Sequence, residues 1–376
     1  MFSRRIPWEL EPNEYAVLLE RKRASGARLL DLTESNPTRA GFVYPGEIAE
    51  ALADARSLVY APSPLGTAAA REAVAAEMGV AAERVMLTAS TSESYSYLFK
   101  LLCDPGDSVL TPQPSYPLFE FLATLESVQL VPYRLRYGRR WEIDFDWMEQ
   151  AITERTRAVL LVNPNNPTGS FVSGEEVSRL AAICRKHQLA LVSDEVFACY
   201  PFGMPRQVDW REVEADSLVF RLDGLSKRAG LPQMKAGWMV VGGPDVARRR
   251  AMERLELIAD TFLSVSTPVQ NALPRLLKLG AGVRRQIQER TGRNRGALQK
   301  KAKPLPVEGG WSAILRLPTG TDELGFVLQL LEQDDVQIQP GFFYDFEDEG
   351  YAVLSLLAEE DAFREGLDRV VRAYSR

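Results

Sequence analysis

The chain is predicted to be α/β, with a mostly parallel sheet covered by helices. Three observations point there. Short, near-continuous apolar runs alternate with longer amphipathic ones through the middle of the chain, as expected of strands buried on both faces and joined by helical crossovers. Gly, Pro, Asn and Asp gather at the ends of those runs, where turns need them. At 376 residues, 45% hydrophobic and 26% charged, the chain is long enough for one large unit and a smaller one.

In order, the strand candidates are 84–89 (RVMLTA), 107–112 (DSVLTP), 157–164 (RAVLLVNP), 189–194 (LALVSD), 217–222 (SLVFRL) and 237–243 (GWMVVGG). Helical patterns fill 67–78, 93–103, 117–124 and 174–187 between them. A long charged helix over 244–262 follows, then helical stretches to about 303 that Pro274 and Gly280 are expected to break. The pattern then changes to strands at 311–318, 336–341 and 351–357 with helices at 322–332 and 359–374, a small α+β unit. The large domain is assigned to 46–270. The small domain takes 1–45 and 271–376, built from both termini.

Composition removes several classes of function. Net charge is −6, from 45 Lys+Arg against 51 Asp+Glu, which gives no basic face for nucleic acid. The clusters at Arg21, Lys22, Arg23 and at Arg248, Arg249, Arg250 read as solvated helix faces. Cys103, Cys184 and Cys199 are widely spaced and odd in number, so neither a disulfide framework nor a CxxC metal site is expected. With no signal-peptide pattern and no run of membrane-spanning length, a cytoplasmic protein without a membrane partner is expected. The single histidine, His187, falls late in a helical pattern, as a surface residue. Its isolation argues against histidine-ligated metal and Ser-His-Asp hydrolysis, and no metal site is assigned.

Polar clusters follow four of the strands: Ser90, Thr91 and Ser92 after the first, 163–169 (NPNNPTG) after the third, Asp194–Glu195 after the fourth, and Ser226 and Lys227 after the fifth. Ligands of open α/β sheets sit outside the carboxyl ends of the strands, so the four describe one site. Small hydroxyl residues at a strand–helix junction suit a phosphate, to which Lys227 and Lys235 add positive charge. Asp194 ends an apolar strand and needs a cationic partner. A phosphate, a protonated ring nitrogen and an aldehyde for a lysine meet together in pyridoxal 5′-phosphate (PLP).

The motifs NPNNPTG (163–169), DEVF (194–197) and SKRAGLP (226–232), in this order, resemble the class I/II aminotransferases of PLP fold type I, the aspartate aminotransferase-like family. The likeness runs from about Asp31 to the C-terminus. No GxGxxG follows a strand and no Walker A sequence is present. The resemblance implies that Lys227 forms the Schiff base with PLP and moves the substrate proton, and that Asp194 pairs with the pyridinium nitrogen. It further implies that Asn166 donates to the phenolate oxygen, Tyr116 stacks on the ring, and Ser90, Thr91 and Ser92 hold the phosphate. Tyr60 resembles a tyrosine that reaches a phosphate across a subunit interface, which implies a homodimer with shared sites. Ser35 and Asn36, in TESNPT (33–38), match a segment that covers the substrate, with Asn166 also in contact. The turn at Gly309, Gly310 and Trp311 reads as structural, and Phe342, Phe343 and Tyr344 as core or pocket lining.

Four positions depart from the family pattern. Phe197 stands where a tyrosine also bonds the phenolate, which implies a raised pKa for the lysine–cofactor linkage. Gly224 replaces a serine and Lys235 an arginine, thinning the phosphate contacts. Val353, in YAVLSLL (351–357), stands where an arginine clamps the substrate carboxylate; Arg228, Arg39 and Arg316 are the candidates to replace it. The implied function is ping-pong transfer of an amino group between an amino acid and a 2-oxo acid. A decarboxylase, β-lyase or cyclase on the same scaffold is the alternative that Val353 raises, and a non-catalytic PLP sensor is a third reading.

Overall fold

The computed structural model describes residues 2–8, 11–204 and 208–374. After a two-residue strand β1 (Leu30–Asp31), eight strands form one sheet: β2 (Val85–Thr88), β3 (Ser108–Gln113), β4 (Gln129–Tyr137), β5 (Trp141–Ile143), β6 (Thr156–Val162), β7 (Ala190–Asp194), β8 (Val219–Gly224) and β9 (Gly237–Gly242). Their order is β2-β9-β8-β7-β6-β3-β4-β5. Neighbours pair in parallel from β8 through β4, and β9 and β5 run against the rest. Every residue of β7 and β9 is buried, which explains their unbroken apolar runs. Helices Thr91–Leu102 and Asp245–Phe262 cover one face through Tyr95, Leu98, Leu255 and Ala259. Helix Gly174–His187 lays Val177, Leu180 and Cys184 on the other. Ser173 and Glu176 close that helix's start as a capping box, while Arg185, Lys186 and the partly buried His187 stand in its last turn.

Two sequence expectations need correction. The hairpin of β4 and β5 was not among the strand candidates, because Pro132 interrupts its alternation. Pro132 pairs with Thr111 of β3 on one side, and β5 joins the other side only from Leu135 onward. A proline there deprives no second neighbour of a ladder hydrogen bond. The stretch from 267 is a single helix, Thr267–Lys301, with Pro274 inside it. Gly280 is no breaker: a Cβ on it would stand 2.9 Å from the Cα of Ala229 and overlap that residue's Cβ. The glycine permits close approach to the segment that carries Lys227.

A second, three-stranded sheet has β13 (Tyr351–Ser355) between β10 (Ser312–Arg316) and β12 (Gln339–Pro340), while β1 pairs in parallel with β11 (Val336–Gln337). Helices Glu323–Asp334 and Glu360–Ala373 pack there, with Leu30, Leu32, Leu315, Val327, Leu354 and Phe363 in a shared core. Among the described residues no helix is long and apolar enough to cross a membrane.

Candidate active site

The carboxyl ends of β6, β7 and β8 lie side by side, with Val162 opposite Asp194 and Asp194 opposite Leu222. The Asn163 amide donates to the Asp194 carbonyl at 2.8 Å, bringing the 163–169 turn against the end of β7. From 161 to 169 only Asn166 is not fully buried. Its side chain is partly exposed.

Asp194 is 6% exposed. Its Oδ2 accepts from the Tyr95 hydroxyl at 2.7 Å and its Oδ1 from the Val196 amide at 3.1 Å. Burial raises its pKa to about 6, against the pull of those two donors. Among the described residues no cation forms an ion pair with it. A buried carboxylate satisfied only by neutral donors still favours a positive partner.

Lys227 sits in the single helical turn Leu225–Arg228 that follows β8. Its Nζ lies 4.9 Å from the centre of the Trp311 ring and 5.6 Å from that of Phe197, and the two rings meet edge-on at 5.3 Å. Desolvation lowers the amine's pKa to about 8, opposed by the charge of Asp194. The backbone is pinned as well: the Tyr200 hydroxyl donates to the Lys227 carbonyl at 2.5 Å. The neighbouring Arg228 bonds the fully buried Asp223 at 2.7 Å and Glu77 at 3.0 Å.

At the end of β2, Ser90 caps helix Thr91–Leu102 by accepting from the Glu93 amide at 3.2 Å. First-turn amides of a helix have no intrahelical acceptor, so those of Thr91 and Ser92 are free to meet an anion. Gly237 opens β9 beside them, and a Cβ there would be 3.0 Å from the Ser90 carbonyl carbon. Gly224 is similarly confined: its Cβ would meet the Ala236 carbonyl oxygen and the Gly237 Cα, each at 3.0 Å. That crowding accounts for a glycine where the family pattern has serine. Lys235 is exposed, two residues before Gly237, in a left-handed conformation at φ 49°.

Tyr116 is 44% exposed and edge-on to Phe119 at 6.4 Å. Burial of its phenol and the charge of Asp194 raise its pKa. Tyr60 is 79% exposed, beside a cavity lined by Gln270, Ser264 and Leu87. Ser35 is exposed, and Asn36 closes its own turn by accepting from the Thr38 amide at 3.0 Å. The segment is tied down by Ser355, whose hydroxyl donates to the Glu34 carbonyl at 2.6 Å.

Val353 is 1% exposed, opposite Ile314 and Gln339, within an apolar cluster that includes Tyr344 and Tyr351. Two of the three candidate replacement cations are engaged elsewhere. Arg228 serves Asp223 and Glu77, and Arg316 is exposed over the Tyr351 ring at 5.7 Å. Arg39 is exposed, and its backbone amide donates to the Asn36 carbonyl.

Sequence reasoning missed Tyr95, Tyr200, Trp311 and Ser312. Tyr95 stands four residues after Thr91, one helical turn into the capped helix, a position that faces the same strand ends. The turn read as structural also borders the site: the Trp311 ring centre lies 4.9 Å from Lys227 Nζ, and the Ser312 hydroxyl donates to Asn166 Oδ1 at 3.0 Å.

A lysine desolvated by aromatic rings, a buried carboxylate lacking a counter-ion and a helix N-terminus open to an anion fit a PLP-dependent enzyme. The chain belongs to the family described as aminotransferase class I and II, which matches residues 27–354, and PLP is its cofactor. It is 32% identical over 272 residues to the alanine aminotransferase of Mycobacterium tuberculosis, covering 69% of this chain and 62% of that protein. It is 31% identical over 269 residues to the glutamate-pyruvate aminotransferase of Escherichia coli K12, covering 68% and 66%. The chain thus spans less than two thirds of the length of the curated relatives it matches. An alanine aminotransferase from Pyrococcus furiosus shares its fold, with TM-score 0.90, 22% identity and full coverage of both chains.

Proposed function

We propose that the protein is a PLP-dependent aminotransferase that moves an amino group between an amino acid and a 2-oxo acid in ping-pong fashion. Alanine and pyruvate are the first pair to test, since both curated relatives are named for one or the other. The observation that carries the reading is Lys227 Nζ, held among aromatic rings with its pKa lowered to about 8, beside a buried Asp194 that forms no ion pair among the described residues. Bound there, PLP supplies an electron sink for charge developing at the substrate Cα.

The chain's residues divide the remaining work. Lys227 would hold the cofactor covalently, and its Nζ would serve as the acid and base for a proton at the substrate Cα. Asp194, oriented by Tyr95 and Val196, keeps the ring nitrogen protonated. Asn166 donates to the phenolate and touches the substrate. Tyr116 stacks on the ring, with Phe197 among the apolar walls. Ser90, Thr91 and Ser92 hold the phosphate from the helix N-terminus, and Lys235 adds charge. Ser35 and Asn36 cover the substrate. The reading divides the chain into 46–270 and a smaller domain of 1–45 with 271–376. It takes Tyr60, exposed on its own chain, to complete a neighbour's site in a cytoplasmic homodimer.

A second reading has one supporting observation. With Val353 buried in place of a guanidinium, another PLP enzyme acting at Cα of an amino acid, a decarboxylase, β-lyase or cyclase, is its best form. One experiment separates them. Reconstituted yellow protein is mixed with single amino acids: a transaminase loses its visible band and yields one oxo acid per site, while a lyase releases product with the band intact. Borohydride reduction followed by peptide mapping is expected to find the cofactor on Lys227. Label on any other residue defeats the reading.

A further inference from the structure

We infer that Ser312 is a positioning residue that sets the orientation of the Asn166 amide toward the cofactor phenolate. The inference rests on the PLP reading above. An asparagine amide has an acceptor end and a donor end of nearly the same shape, and only its hydrogen-bond partners decide which faces which way. The Ser312 hydroxyl donates to Asn166 Oδ1 at 3.0 Å. Nδ2 forms no hydrogen bond with the described residues, in a turn where its neighbours are buried and Asn166 alone is not. The donor end is therefore the one left unengaged among the described residues, as stabilising an oxygen anion requires.

Position 197 removes the alternative. Phe197 has no hydroxyl, and its ring rests edge-on against Trp311 at 5.3 Å. Phenolate stabilisation from this part of the site then falls to one amide, and the orientation of that amide to one serine. Ser312 comes from outside the large sheet. It is the first residue of β10, opposite Ser355 in the ladder, and the Ser355 amide donates to the Leu32 carbonyl at 2.7 Å. The Ser312–Asn166 bond thus ties the three-stranded sheet, and through Ser355 the 33–38 segment, to the orientation of a cofactor contact.

The test is a pH titration of the visible absorbance of PLP-reconstituted protein, which reports deprotonation of the Lys227–cofactor linkage without turnover. Wild type is compared with Ser312→Ala, Ser312→Thr, Asn166→Ala and the Ser312→Ala/Asn166→Ala double variant. Ser312→Ala is expected to raise the midpoint by about half a unit to one unit, the scale of one net hydrogen bond. Ser312→Thr, which keeps the hydroxyl, should match wild type. The double variant should titrate like Asn166→Ala alone, because the serine acts only through the amide. Ser312→Cys stands in if alanine does not fold, with a shift in the same direction. A serine variant that titrates like wild type while Asn166→Ala shifts, or effects that add in the double variant, overturns the inference. Wild-type protein that takes up no PLP overturns the underlying reading, and this inference with it.

Discussion

The ends of β7 and β8 and the middle of β13 both carry positions that the family resemblance picks out, and they are furnished in opposite ways. At the first, charge is kept in a dry setting: Asp194 under Tyr95 and Val196, Lys227 against Trp311 and Phe197. At the second, Val353 packs with Ile314 and Tyr344 where a guanidinium is expected. A buried charge is tolerated only with hydrogen bonds or a counter-ion. The sheet ends provide donors for Asp194, and in the proposed function PLP would supply the positive partner. The position at β13 has no charge to satisfy. In the proposed function the cofactor half keeps Lys227, Asp194 and Asn166 of the family pattern while departing from it at Phe197, Gly224 and Lys235, whereas the carboxylate half loses its one charged position at Val353.

The comparison breaks most sharply at Lys227. Lys227→Ala should cut turnover by about 10²- to 10⁴-fold and abolish borohydride-stable labelling, measured on protein that still takes up PLP non-covalently. A variant with ordinary turnover would end the contrast, since the sheet ends would then hold no chemistry.

A smaller effect is expected at Asp194, and its sign follows from the raised pKa. Below about pH 6 the carboxyl of the apoprotein is protonated and offers no charge to a pyridinium, so PLP affinity should weaken as pH falls through that value. The Tyr95 hydroxyl stabilises the carboxylate form. Tyr95→Phe removes that donor, worth about 1.5–3 kcal/mol to a charged acceptor, and should move the midpoint upward. Equilibrium PLP binding against pH checks both, and an unmoved midpoint would make Tyr95 a packing residue only.

The smallest effect should fall on the other side of the comparison. Val353→Ala should lower stability by about 2 kcal/mol in denaturant unfolding, from lost burial and the cavity left behind, and leave the KM for the amino acid within about twofold. A large rise in KM with little change in stability would show that the valine contacts substrate, and that the two halves are less distinct than their packing indicates.

The sequence by itself determined six of the eight strands of the large sheet and the helices between them, because burial on two faces imposes unbroken apolar runs, and turn residues mark their ends. It also determined Lys227, Asp194 and Asn166 as one set, since ordered motifs after successive strands converge at one edge. Only the tertiary structure decided the rest. Tyr95 and Trp311 reach Asp194 and Lys227 from 99 and 84 positions away in the chain, separations that no local pattern records. The β4–β5 hairpin was hidden by Pro132, which is harmless only because β5 has not yet begun on its other side. Gly280 reads as a helix breaker until Ala229 is found against it. A glycine's role depends on what approaches it, and that is set by packing between distant segments rather than by the residues on either side.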